Sequence, residues 1–77
     1  MEFHFPDVGE GITEGTLIRW LVKQGTRVNA DQPVAEIETG KAVVEIPAPH
    51  AGVIEKFFFK EGDIVKVGEV LFSLKEF

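Results

Sequence analysis

The stretch Val34-Ala35-Glu36-Ile37-Glu38-Thr39-Gly40-Lys41-Ala42-Val43-Val44-Glu45-Ile46 decides the fold. It alternates apolar and polar residues on both sides of Gly40-Lys41, the pattern of two half-buried strands joined by a tight turn. With Gly40 and Lys41 as the central turn residues, Thr39 faces Ala42, Glu38 faces Val43, Ile37 faces Val44, Glu36 faces Glu45 and Ala35 faces Ile46. One face then carries Ala35, Ile37, Ala42, Val44 and Ile46, and the other carries Glu36, Glu38, Val43 and Glu45. A slip of one residue would scatter the apolar set over both faces, so the register is specified. Gly40 at the first turn position suits the positive φ that two-residue hairpin turns often require. The cost is Glu36 opposite Glu45, which is tolerable only if both carboxylates are solvated.

Working outward, the rest of the chain has the same texture. Short segments rich in β-branched and aromatic residues lie between Gly, Pro and Asp punctuation. They predict strands near 2–5, 16–22, 33–38, 42–47, 52–59 and 69–75, with two very short ones near 27–29 and 64–66. No segment has a helical apolar stripe with caps.

An internal repeat organises these strands. Shifted by 37 residues, Gly15 falls on Gly52, Lys23 on Lys60, Gly25 on Gly62 and Val28 on Val65. Leu17 falls on Ile54, Arg19 on Lys56, Trp20 on Phe57 and Ile37 on Leu74, with no gap over 15–39 and 52–76. Two similar halves without helices predict two small sheets related by a pseudo-twofold axis.

Bulk properties narrow the function classes. With 77 residues the chain is one domain, and with no cysteine its stability rests on regular architecture. A cysteine-free chain fits a reducing compartment. Two histidines far apart, His4 and His50, do not make a zinc site. A net charge of −5 argues against nucleic acid and anionic lipid as partners and suits docking on basic protein patches. No apolar run is long enough to span a bilayer, and no signal or transit pattern opens the chain. No nucleophile–base pair is evident, and His4 and His50 read as solvated or structural. Trp20, Phe57, Phe58 and Phe59 read as core positions rather than stacking sites for a ligand.

Lys41 stands apart from the other five lysines. Its repeat partner would be residue 78, beyond the last residue, so the counterpart of its hairpin is the pair of termini. Lys23 and Lys60 are each other's counterparts and read as surface positions beside the Gly25 and Gly62 turns.

Several stretches resemble the lipoyl domains of 2-oxo acid dehydrogenase acyltransferases. They are Phe5-Pro6-Asp7-Val8-Gly9-Glu10-Gly11-Ile12-Thr13-Glu14-Gly15, the segment from Trp20 to Val28, Glu36-Ile37-Glu38-Thr39-Gly40-Lys41-Ala42, and Val43-Val44-Glu45-Ile46-Pro47-Ala48-Pro49, together with Gly52 and Gly62. The resemblance implies a flattened barrel or sandwich of two four-stranded antiparallel sheets, with Lys41 at one end as an N6-lipoyllysine. It also implies that residues 7–15 form a loop beside that end. Glu38, Thr39, Gly40 and Ala42, with Asp7, Val8, Gly9, Glu10 and Gly11, are the implied recognition residues. Apart from the resemblance, Gly9, Gly11 and Gly15 forbid a stiff element there, and Asp7, Glu10 and Glu14 keep the loop wet. One departure stands out: the family usually has Asp before the modified lysine, and this chain has Gly40. That difference bears on recognition by the dehydrogenase more than on attachment.

A lysine amine ordinarily titrates near about 10.4 and is a poor nucleophile near neutral pH. A separate lipoate ligase or lipoyl transferase is therefore expected to acylate Lys41. The other partners implied are a thiamine-diphosphate 2-oxo acid dehydrogenase, a dihydrolipoyl dehydrogenase and the acyltransferase core of a longer chain. The resemblance implies a carrier that is not itself an enzyme. From its start at Met1 and its stop at the end of the last strand the chain is expected to be the N-terminal domain of a longer acyltransferase chain, monomeric in isolation, and cytoplasmic in a prokaryote or mature in a mitochondrial matrix. The alternatives are a biotinyl carrier and an unmodified β assembly module. Biotinyl carriers place their lysine between methionines, whereas here Gly40 and Ala42 flank it.

Overall fold

The computed structural model describes residues 1–9 and 11–76. All regular elements among them are strands: β1 Glu2–His4, β2 Glu14–Trp20, β3 Arg27–Val28, β4 Pro33–Glu38, β5 Val43–Pro47, β6 Gly52–Phe57, β7 Ile64–Lys66 and β8 Val70–Lys75. They form two four-stranded antiparallel sheets, ordered β5-β4-β2-β7 and β1-β8-β6-β3. The body measures 35 × 21 × 17 Å, so the expected flattened sandwich is what forms.

The repeat is the symmetry of this structure. Under the 37-residue shift β4 becomes β8, β2 becomes β6, and β3 becomes β7. With β5 matched to β1, the order of one sheet turns into the order of the other. Individual bonds repeat as well. Gly25 N donates to Ile54 O at 2.7 Å, and Gly62 N donates to Leu17 O at 2.7 Å. Asn29 N donates to Gln32 Oε1 at 3.0 Å, and Lys66 N donates to Glu69 Oε1 at 2.7 Å. The β2–β4 register slips between Leu17 and Arg19, and the β6–β8 register slips between Ile54 and Lys56. Asp31 holds φ 66°, the counterpart of Gly68 at φ 94°. Aspartate is among the few side chains that tolerate this region.

Burial follows the alternation. Leu17, Ile37, Ile54 and Leu74 are fully buried; Leu17 pairs with Ile37 in one sheet, and their repeat counterparts Ile54 and Leu74 pair with each other in the other sheet. The halves differ in how they fill the core. Phe72 and Phe5 occupy one side where Ala35 and Ala48 occupy the other, and all four are buried. Trp20 lies opposite Ala35, which leaves room for the indole. Its ring stacks on Phe57, its own repeat partner, at 3.9 Å and 9°, and meets Phe72 edge-on at 6.3 Å. Such aromatic contacts add about 0.5–1.5 kcal/mol each beyond the area they bury.

The strand ends differ from expectation at the aromatic run. β6 stops at Phe57, and Phe58 lies outside the strand and is exposed. Phe58 N still donates to Leu71 O, the copy of the bond from Leu21 N to Val34 O, and in both halves the strand ends there. Trp20 and Phe57 are half-buried, so only part of the cluster expected in the core belongs to it.

Candidate functional site

The Lys41 hairpin has the expected register. Ala35 pairs with Ile46, Glu36 with Glu45, Ile37 with Val44 and Glu38 with Val43. Thr39 N donates to Ala42 O at 2.9 Å, which leaves Gly40 and Lys41 as the two exposed tip residues. Ala35, Ile37 and Ile46 are buried and Val44 is half-buried, as the alternation requires. Ala42, assigned to the inward face, is exposed, because it lies past the end of the sheet.

The turn closes by a different device from the one expected. Neither Gly40 nor Lys41 has positive φ. Thr39 does the closing. Its hydroxyl donates to Ala42 O at 2.9 Å and accepts from Ala42 N at 3.2 Å and Lys41 N at 3.3 Å. Thr39 is only 5% exposed, so this small network is shielded by the chain around it. A threonine that binds the backbone two and three residues on is a recognised turn former, and its position just before the tip is the signal that could have revealed it. Thr39 is thus a part of the scaffold at the tip and offers a partner almost no surface. Gly40 makes no use of glycine's freedom, and a Cβ placed there would meet no atom within 4 Å.

The opposed carboxylates of Glu36 and Glu45 are reconciled by Arg19. Its Nε lies 2.9 Å from Glu36 Oε1, and Glu45 faces solvent. Glu38 is exposed on the outer face of its sheet, one residue before the turn begins.

The loop after β1 approaches the same end of the molecule. Asp7 Oδ1 accepts from Gly9 N at 2.8 Å, and Gly9 and Gly11 have φ 87° and 75°. Ile12 N donates to Gly9 O at 3.2 Å, and half-buried Val8 packs on the core. The chain then enters β2 at Glu14. Since Thr16 pairs with Glu38, Glu14 comes level with Gly40. Glu10 lies outside the described residues. Gly15, expected in the loop, is instead a buried strand residue. A Cβ there would collide with Ile37 Cγ2 and approach Glu38 O to 3.0 Å, so it is a close-packing glycine and not a hinge.

The other candidates do not converge on this tip. His4 Nδ1 contacts Gly68 O at 2.8 Å, and His50 Nε2 lies 3.1 Å from Glu76 Oε1. Lys23 and Lys60 are exposed beside their turns, where their carbonyls accept from Thr26 N and Asp63 N. A shallow cavity of about 660 Å³ lies among Trp20, the aromatic run Phe57–Phe59, Lys60, Glu61 and Asp63. None of the hairpin or loop residues lines it.

Comparisons with known proteins bear on this geometry. The biotin/lipoyl family model, described as biotin-requiring enzyme, matches residues 1–74. The dihydrolipoyllysine-residue acetyltransferase component of the pyruvate dehydrogenase complex from Staphylococcus aureus (strain Mu50) is 42% identical over 73 residues, covering 95% of this chain and 17% of that protein. This chain therefore spans about one sixth of the length of that relative. The lipoyl domain of the 2-oxoglutarate dehydrogenase complex from Azotobacter vinelandii, solved in solution, superposes with a TM-score of 0.79 at 38% identity, over 99% of this chain and 96% of that one. The urea carboxylase of Kluyveromyces lactis superposes with a TM-score of 0.74 at 25% identity, over 96% of this chain and 7% of that one.

Proposed function

We propose a function from the premise that the chain belongs to the biotin/lipoyl family, as a lipoyl domain: it carries lipoate in amide linkage on Lys41 Nζ and presents it to the enzymes of a 2-oxo acid dehydrogenase complex. The observation that carries this reading is a lysine at the exposed tip of a two-residue turn, held by Thr39 at the end of a four-stranded sheet. The residues present fit the group. The tip offers no enclosing wall at Gly40, so an arm attached next to it has room to move. When bound, the lipoyl dithiolane supplies disulfide redox chemistry and an acyl-accepting thiol.

The chain's own residues then have limited tasks. The β4–β5 ladder and the Thr39 clamp keep the attachment point rigid, while the exposed tip allows a modifying enzyme to reach it. Glu38 and the loop around Asp7, Gly9 and Gly11 form the surroundings by which partners tell this lysine from the other five. The partners in this reading are a lipoate ligase or lipoyl transferase, a thiamine-diphosphate dehydrogenase, a dihydrolipoyl dehydrogenase and an acyltransferase core in a longer chain of which this is one domain. Tethering to that core raises the effective concentration at each active site. The same residues speak against biotin, because Gly40 and Ala42 flank Lys41 where a biotinyl carrier has methionines.

Intact mass after incubation with a lipoate ligase, ATP and lipoate tests the reading. A gain of one lipoyl group that disappears in Lys41→Ala supports it. No gain, or a gain that survives Lys41→Ala, refutes it. A parallel incubation with a biotin ligase and biotin is expected to leave the mass unchanged.

A further inference from the structure

On the exposed outer faces the pseudo-twofold symmetry provides an internal control, because equivalent positions there share backbone placement and contact with solvent, unlike the core, which the two halves fill differently. Where equivalent positions differ sharply in chemistry, the fold does not require the difference. One such contrast on the outer faces of the sheets lies next to the Lys41 turn.

One row crosses the outer face of the lysine-bearing sheet there. Val43 pairs with Glu38, Glu38 with Thr16, and Thr16 with Ile64, so the four side chains share a face. Ile64 and Val43, at 57% and 53%, are the two most exposed large hydrophobic residues among those described. Between them lie the exposed carboxylate of Glu38 and half-buried Thr16. In the other sheet the equivalent row is Lys75, Val53 and Arg27, paired in the same way. Lys75 stands for Glu38, Val53 for Thr16, and Arg27 for Ile64. The position equivalent to Ile64 in the other sheet thus carries a cation. Ile64 itself keeps more than half of its apolar surface in water.

We infer that the row Val43–Glu38–Thr16–Ile64 is the contact surface for the enzyme that acylates Lys41, and that this enzyme offers it a cationic side chain between apolar groups. The inference rests on the proposed attachment at Lys41 and deepens it. Reach selects this occupant over the others. Before the arm is attached, the Lys41 amine reaches into an active site only by the length of its own side chain. The acylating enzyme is therefore brought against the residues just below the tip. Enzymes that act on the finished arm are held farther off by its length. Charge complementarity selects the chemistry, because Glu38 is the one charge in the row and its equivalent in the other sheet has the opposite sign.

The test compares lipoylation kinetics of the intact chain, followed by intact mass with a lipoate ligase, ATP and lipoate. The variants are Ile64→Arg, Ile64→Thr, Val43→Thr and the symmetry control Arg27→Ile, each with its urea midpoint. Ile64→Arg places at this end the residue type that the fold already accepts at the other. We expect it to raise KM for the chain at least about ten-fold, the ratio that 1.4 kcal/mol of binding represents, with kcat and the urea midpoint little changed. Ile64→Thr and Val43→Thr are expected to raise KM less, and Arg27→Ile not to raise it. Wild-type KM for both Ile64→Arg and Val43→Thr overturns the inference while leaving attachment at Lys41 intact. An equal rise in Arg27→Ile overturns it as well. A wild-type chain that gains no lipoyl group removes the attachment reading and this inference together.

Discussion

Replacing Thr39 by valine isolates what closes the Lys41 turn. Valine has nearly the same shape, so the change opens no cavity and removes only the hydroxyl. Three contacts go with it: the donor bond to Ala42 O at 2.9 Å and the two acceptor contacts from Ala42 N and Lys41 N at 3.2 and 3.3 Å. A typical intramolecular hydrogen bond contributes a net of about 1 kcal/mol. The two longer contacts lie at or beyond the outer limit of good geometry and together count for about one more. Water at the exposed tip can recover part of this, so the expected loss is about 1–2 kcal/mol. For a domain of this size that is a fall in Tm of about 4–16 °C. The assay is urea unfolding at constant m, with hydrogen exchange at the Lys41 and Ala42 amides, which are expected to lose protection selectively. Thr39→Ser keeps the oxygen and is expected to lose less than half as much. A Thr39→Val chain within about 0.3 kcal/mol of wild type, or a Thr39→Ser chain as weak as Thr39→Val, would refute the clamp, since both lie outside what a hydrogen-bonded hydroxyl contributes.

Three further outcomes follow from the same geometry. Gly40→Ala and Gly40→Asp are expected to fold with unchanged or slightly raised stability, up to about 1 kcal/mol, because the position has no positive φ and no neighbour within 4 Å; a clear drop in the urea midpoint of either would contradict this. Gly15→Ala and Gly52→Ala should both destabilise by about 1–3 kcal/mol through overpacking, since the added Cβ meets Ile37 and Glu38 in one case, and Lys75 O at 2.5 Å and Leu74 Cγ at 2.9 Å in the other; thermal unfolding of the pair measures how alike the two halves are. Arg19→Ala leaves Glu36 facing Glu45 and should cost less than about 1 kcal/mol, shrinking with added salt; a loss that does not depend on salt would mean that Arg19 acts through packing instead.

The parts of this protein that were legible in the chain are those with a local period. Two-residue alternation sets the faces of β4 and β5, and one apolar set admits only one hairpin register, so the tip position of Lys41 followed from residues 34–46 alone. The repeat was also readable, because its glycines and core residues recur at a fixed spacing. It foretold the paired sheets, including the meeting of the termini opposite the hairpin, where Leu74 N donates to Met1 O. Other features depended on neighbours far away in sequence. Gly15 reads as loop punctuation until Ile37 is seen occupying the place of its side chain. The Gly40 turn is the local exception: Thr39, its neighbour in the chain, binds the backbone across the tip, so the freedom of glycine is not used. Ile64 reads as one more strand residue until β7 is placed beside β2, where it lines up with Thr16, Glu38 and Val43. Periodicity records which way a side chain points relative to its own strand. Which atoms it then meets is decided by strands nearly fifty residues apart, and only the closed sheets bring them together.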